Sequence, residues 1–283
     1  YIQERLLPGH QVIYTTHSPF MVPADKLEDV RVVEDVVEYD KRGRPTVHGT
    51  KVSSEVLSVD QDTIFPLQGH LGYEITQSLF IGKNTLLVEG PSDILYLQAL
   101  SQELKNRNRQ GLSSEWVVCP TGGIDKIHSF ASLFGGNSLN IAVLCDFASG
   151  DKKKIERLKK SQILKSSQIL TVADFTDKDE SDVEDIFSSD TFAELLNSTY
   201  SLSAENAITA EKLDESTPKT VRVVKQAESV FKLMSGDIPE FDHFTPSSWL
   251  IRNPNFFDNE SDGVSHTLDI AEGIFSKLND LLK

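Results

Sequence analysis

Residues 86–100 read LLVEGPSDILYLQAL, which puts Glu89 directly after an apolar run and Asp93 four positions on, where a helix begins. A packed domain needs no carboxylate at such a point, whereas a bound cation does. Asp146 closes a second apolar run, NIAVLCD, and Gly122 and Gly123 follow a third, EWVVCP. Hard oxygen donors gathered from several loops suit Mg²⁺ or Mn²⁺, whose octahedral shell takes a few carboxylates and keeps places for water and phosphate. Further on, Asp182 and Glu184 alternate in ESDVEDIF, and an extended backbone puts both on one face.

Each of these residues also has a purely structural account. Acids near a helix start complement the macrodipole, and Glu89 and Asp93 flank Ser92 at such a start. Asp182 and Glu184 lie in an acidic stretch that a solvated loop explains equally, and Lys152, Lys153 and Lys154 read as a solvated helix face. His243 and His266 have no partner at ligand spacing and read as ordinary surface or core histidines.

The elements that must position the acids follow from the apolar pattern. From residue 84, TLLVE, EWVVCP, NIAVLCD and SQILTVAD read as strands, and SDILYLQALSQELKN, GIDKIHSFASLF and DKKKIERLKKSQ as the helices between them. Strands alternating with helices of this length predict parallel βαβ units in an open sheet, which binds ligands outside the carboxyl ends of its strands. Glu89, the Gly pair and Asp146 fall at three such ends, and Asp93 lies one helical turn beyond. Upstream, QVIYTT reads as a strand, residues 30–39 as another, KRGRP as a turn, and residues 51–82 as mixed strand and loop ending in a short helix. Beyond residue 190 the pattern is helical, notably in VRVVKQAESVFKLM and SHTLDIAEGIFSKLNDLL, with RNPNFFDNESDG as a surface loop.

The 283 residues are 39% hydrophobic and 25% charged, enough for one large core or two modest ones. No apolar run approaches the roughly 18 residues of a membrane span, and the start lacks a signal-like pattern, so a cytoplasmic protein is expected. Cys119 and Cys145 lie in strand-like runs and read as buried thiols. The net charge of −15 argues against indiscriminate coating of nucleic acid, but not against a nuclease whose acids carry cations. Charge is segregated: residues 151–165 carry seven bases against two acids, and residues 174–190 eight acids against one base. A first residue of Tyr1 suggests a piece of a longer protein.

The apolar strand ending in Glu-Gly-x-x-Asp, the Gly-Gly turn and the strand ending in Asp resemble the Toprim domain of topoisomerases, primases and a family of nucleases. QVIYTTHSPF resembles the final strand and His switch of ABC-type ATPases, with His17 in Thr16-His17-Ser18-Pro19. The two in succession resemble the OLD (overcoming lysogenization defect) family of endonucleases over about residues 11–196. The resemblance implies an α/β fold with a Toprim-type open, mostly parallel sheet flanked by helices. It further implies an ATPase remnant and connector over 1–83, a Toprim catalytic domain over 84–190 and a helical region over 191–283. Glu89 would bind a metal or act on the leaving group, Asp93 would complete the first metal site, and Asp146 matches the first member of the family's Asp-x-Asp pair. Ala148 stands at the second position, a departure from the pattern, for which Asp151, Ser149 or a backbone carbonyl could substitute. Asp182 and Glu184 match the acids of a second metal site. A basic residue meets the phosphate: Lys225, with Arg222 competing. No G-x-x-x-x-G-K-[ST] occurs, so His17 is a remnant that would sense the γ-phosphate only in the whole protein.

The function so implied is a DNA endonuclease with a two-metal site for Mg²⁺ or Mn²⁺, Ca²⁺ serving as an inert substitute. DNA is the implied partner, with a homo-oligomer through the ATPase domain and ATP used only in the full-length protein. A non-catalytic Toprim-like module for DNA binding or assembly is the alternative, favoured by Ala148 and the negative charge. A topoisomerase or primase fits less well, since TTHSPF belongs to neither and no residue marks a nucleophilic Tyr.

Overall fold

The computed structural model describes residues 6, 9–15, 31–39, 45–53, 83–127, 131, 139–160, 164–234 and 238–282. Residues 1–73 and 74–283 are two compact units. In the first, β1 (Val32–Tyr39) and β2 (Pro45–Ser53) pair antiparallel, with a register shift at Val36/Val37. The strand expected at QVIYTT does not form over residues 11–15. Ile13 there is 87% exposed, so the half-burial that selects a strand is missing. His17 and its Thr16-His17-Ser18-Pro19 motif lie outside the described residues, as do residues 54–82.

The second unit is built on four parallel strands: β3 (Asn84–Val88), β4 (Trp116–Pro120), β5 (Asn140–Cys145) and β6 (Ile169–Thr171), in the spatial order β4-β3-β5-β6. Alternate residues of a strand face opposite sides, and both sides are apolar. Leu86, Val88, Ala142 and Leu144 enter one core, whereas Leu87, Cys119, Val143 and Cys145 enter the other. Both cysteines are buried thiols. The second core is roofed by α2 (Lys152–Lys160) through Ile155 and Leu158, leaving its lysines in solvent. A helical stretch at 124–127 and 131 adds Ile127 and Ala131 to the same core.

The first core is covered by α1 (Pro91–Asn106) and by the C-terminal helices α3 (Ser189–Thr199), α4 (Ala210–Asp214), α5 (Val223–Phe231), α6 (Phe244–Arg252) and α7 (Asp262–Asn279). These helices share one continuous core with the sheet. Polar ties reinforce it: Arg109 pairs with Glu272 at 2.6 Å, and Asn279 accepts from the Ser113 N–H at 3.0 Å. The expected surface loop at 252–263 contains instead a 3-10 turn, Pro254–Asp258. Phe257 is 2% exposed, and its carbonyl accepts from Arg107 Nη2 at 2.6 Å, because apolar burial outweighs the turn-forming residues around it.

Candidate active site

Parallel strands β4, β3 and β5 bring three strand ends side by side, with Glu89 in the middle. Its carbonyl accepts the N–H groups of Gly122 and Gly123 at 2.9 and 3.0 Å. Both glycines have positive φ, 76° and 110°, which a side chain would strain, so Gly-Gly lets the chain turn here. The Glu89 carboxylate spans its two neighbours: Oε2 accepts from Ile124 N–H at 3.2 Å and Oε1 from Asp146 N–H at 3.1 Å. Burial raises this carboxyl above the usual range; the two N–H groups pull it partly back, and the charges of Asp151 and Asp182 push it up again.

Asp93 sits at the third position of α1. Its Oδ2 accepts from the N–H groups of Glu89 and Gly90 at 2.9 and 3.0 Å, closing the helix start as a capping acid does. The helix-start account of this residue is therefore realised, but Asp93 also belongs to a cluster. Burial pushes its carboxyl up to about 7, with the charges of Glu184 and Glu89 adding to the rise. Asp146 is likewise raised, first by burial and then by Asp93, Asp182, Glu89 and Glu184.

The remaining acids come from residues 181–187. Phe147 and Ser181 form an antiparallel bridge, and Asp146 Oδ1 accepts from Val183 N–H at 2.9 Å. The extended piece expected through Asp182 and Glu184 is instead a 3-10 turn, Val183–Ile186, headed by Asp182. Asp185 causes the difference: its Oδ2 accepts from Asp182 N–H at 2.8 Å, drawing the chain into a turn. Asp185 also accepts from Lys178 at 2.5 Å and from Val223 N–H at 3.0 Å, which anchors α5 to the turn. Tyr96 packs edge-on to Phe187, with ring centroids 5.2 Å apart, and so holds the turn against α1.

Asp182 and Glu184, each 2% exposed, carry cationic partners. Arg222 donates through Nε to Asp182 Oδ2 at 2.8 Å and through Nη2 to Oδ1. His243 Nδ1 lies 3.4 Å from Glu184 Oε1, and its Nε2 lies 3.1 Å from Glu228 Oε1. The Glu184 contact raises the imidazole above its ordinary value. His243 is thus a bridging group rather than the ordinary histidine expected; only tertiary contact pairs it, so no spacing signals it. His266 is exposed.

Asp151 pairs with Lys154 at 3.2 Å, and Lys154 with Asp125 at 3.1 Å. Ser149 donates through its N–H, at 2.8 Å, and through its hydroxyl to Glu180. Lys225 donates to Glu228 at 2.6 Å, the same carboxylate oxygen that His243 Nε2 approaches. Among the described residues, no three His, Cys, Asp or Glu side chains converge as they stand on a point that would hold a metal ion. The donor chemistry nevertheless fits a hard divalent cation. Glu89, Asp93 and Asp146 offer only oxygen, Glu89 raises the proton affinity of the other two and Asp93 that of Asp146, and among the described residues their oxygens are held by backbone N–H groups and Ser92.

An open parallel sheet covered on both faces, with acids at the carboxyl ends of adjacent strands, defines a Toprim-type α/β protein. Residues 80–147 match the family model described as overcoming lysogenization defect protein-like, TOPRIM domain, so the chain carries an OLD-like Toprim region. The matched stretch contains β3, α1, β4 and β5, and with them Glu89, Asp93 and Asp146. A Toprim domain is a metal-binding, nucleic-acid-processing module. No curated protein matches the chain. Among the described residues, no helix is long and apolar enough to cross a membrane.

Proposed function

We propose that this chain is the nuclease part of an OLD-type ATPase-nuclease, a DNA endonuclease dependent on Mg²⁺ or Mn²⁺. The observation that carries the reading is the gathering of Glu89, Asp93 and Asp146 at one sheet edge with no basic partner among the described residues. These three would hold the cation, which when bound supplies charge neutralisation at the phosphodiester and an activated water. Glu89 lies between two strand ends, where its carboxyl, raised by burial, would take up or return a proton. Lys225 and Arg222 are the candidates to meet the phosphate's developing charge. The segment 84–190 forms the catalytic part and 191–283 its helical cover. ATP use, a homo-oligomer through the ATPase domain, cytoplasmic location and a role against phage belong to the longer protein this reading implies.

The test is incubation of the chain with supercoiled plasmid. Nicking with Mg²⁺ or Mn²⁺, absent with Ca²⁺ and lost in Glu89→Ala, is the expected result. A second reading, a non-catalytic DNA-binding or assembly module, is favoured by the Arg222 grip on Asp182 and by Ala148. Plasmid binding without nicking in any divalent ion would establish it instead.

A further inference from the structure

We propose that Arg222 takes the place of a second divalent cation, so that this centre binds one Mg²⁺ or Mn²⁺ and presents a guanidinium where a second metal ion would lie. The inference rests on the reading of the edge as a cation-dependent nuclease centre. It concerns how many cations that centre takes.

The acids divide into two sets. Glu89, Asp93 and Asp146 make no ion pair with Lys, Arg or His among the described residues. On the other side, each acid has a cationic partner: Asp182 has Arg222, Glu184 has His243, Asp185 has Lys178 and Asp151 has Lys154. A carboxylate oxygen engaged by an ammonium or guanidinium has fewer lone pairs for a metal ion, and two positive charges at one carboxylate repel.

Arg222 holds its position most firmly. It grips both oxygens of Asp182, whose side chain is 3% exposed, in the fork geometry that matches a carboxylate. Its backbone is fixed from the same turn, since Val223 N–H donates to Asp185 at 3.0 Å. A guanidinium has five N–H donors, and two are used on Asp182. The others have no acceptor among the described residues and are available to phosphate oxygens, the task a second cation performs in a two-metal site.

Ala148 fits the same picture. The Phe147–Ser181 bridge sets Asp146 opposite Asp182 and Ala148 opposite Glu180, and all four neighbours of the bridged pair share a face. A methyl group therefore stands on the face that carries Asp146 and Asp182, where an Asp would add a ligand. The nearby oxygens do not replace it, because Ser149 and Glu180 are bonded to each other.

The experiment is Mn²⁺ titration of the whole chain, read as bound ions per chain from the free-Mn²⁺ electron paramagnetic resonance signal. The parent is expected to bind one Mn²⁺, lost in Glu89→Ala. Ala148→Asp alone, which keeps Arg222, is expected to stay at one; Ala148→Asp with Arg222→Gln is expected to bind two. Two ions in the parent or in Ala148→Asp would overturn the inference while leaving the cation centre standing. A double variant that folds by circular dichroism yet binds one would overturn it as well. No Mn²⁺ bound by the parent would overturn the cation centre itself, and this inference with it. Should the double variant fail to fold, the parent and Ala148→Asp still decide.

Discussion

The backbone N–H of Asp146 donates to Glu89 Oε1 at 3.1 Å, joining the ends of two adjacent parallel strands through one carboxylate. The same carboxylate accepts from Ile124 N–H at 3.2 Å, after the third strand end. Glu89 is therefore a structural clasp, and in the proposed function it also holds the cation; substitutions there separate the two roles.

Glu89→Ala is expected to lower Mg²⁺- or Mn²⁺-dependent nicking by about a hundredfold or more. It leaves two backbone donors without their acceptor, at about 1–3 kcal/mol each if they stay dry, but it also removes a buried acid, so the net change in stability is expected to be small. Nicking at the parental rate by a folded Glu89→Ala chain would sink the assignment; urea denaturation gives the stability.

Without divalent cations, stability is expected to fall as pH rises from about 4 to about 7. Burial lifts Asp93 from 3.8 to about 7, so in that window the folded chain holds a proton that the unfolded chain has released, and raising the pH favours unfolding. A shift of this size corresponds to on the order of 4 kcal/mol. His243 acts in the same direction at higher pH, because its raised value makes its contribution full below its ordinary 6.5 and lost as pH climbs through the folded value. Asp93→Asn keeps an acceptor for Gly90 N–H and is expected to be more stable than the parent at pH 8 without metal, and less responsive to Mn²⁺. Identical pH profiles for the two chains in urea titrations would refute the buried-charge account.

Arg222→Ala leaves Asp182 charged and buried, and is expected to destabilise the chain by about 3–5 kcal/mol. Asp182→Asn in the same background should recover much of that loss, since no unpaired charge then remains. Additive effects in the double-mutant cycle would mean the pair is not coupled.

Lys225→Ala is expected to change stability by no more than about 1 kcal/mol, since its pair with Glu228 lies at a partly exposed surface. If Lys225 stabilises the transition state, single-turnover nicking falls while DNA affinity holds. Replacing Lys152, Lys153 and Lys154 together by Ala should do the reverse if α2 touches DNA, weakening binding and flattening its salt dependence. Normal cleavage by Lys225→Ala with none by Arg222→Ala would assign the phosphate contact to Arg222.

What the sequence by itself determined is the sheet and its first three acids. β3, β4 and β5 are local apolar runs, and the rule that parallel sheets bind ligands at their carboxyl ends puts Glu89, Gly122, Gly123, Asp146 and the neighbouring Asp93 at one edge. α5 and α7 were legible from helical periodicity for the same reason, since both are local patterns. The other half of the cluster was decided only by tertiary structure. Asp182 and Glu184 looked extended in isolation, and Asp185 folds them into a turn through one hydrogen bond. Phe257 draws a segment with the composition of a loop into the core. The partners that set the character of the acids are distant in the chain: Arg222 reaches Asp182 across 40 positions and His243 reaches Glu184 across 59. Local propensity records which side chains are present along a strand or helix, but a charge's neighbours in space follow from packing, and there the cationic partners of Asp182 and Glu184 are chosen.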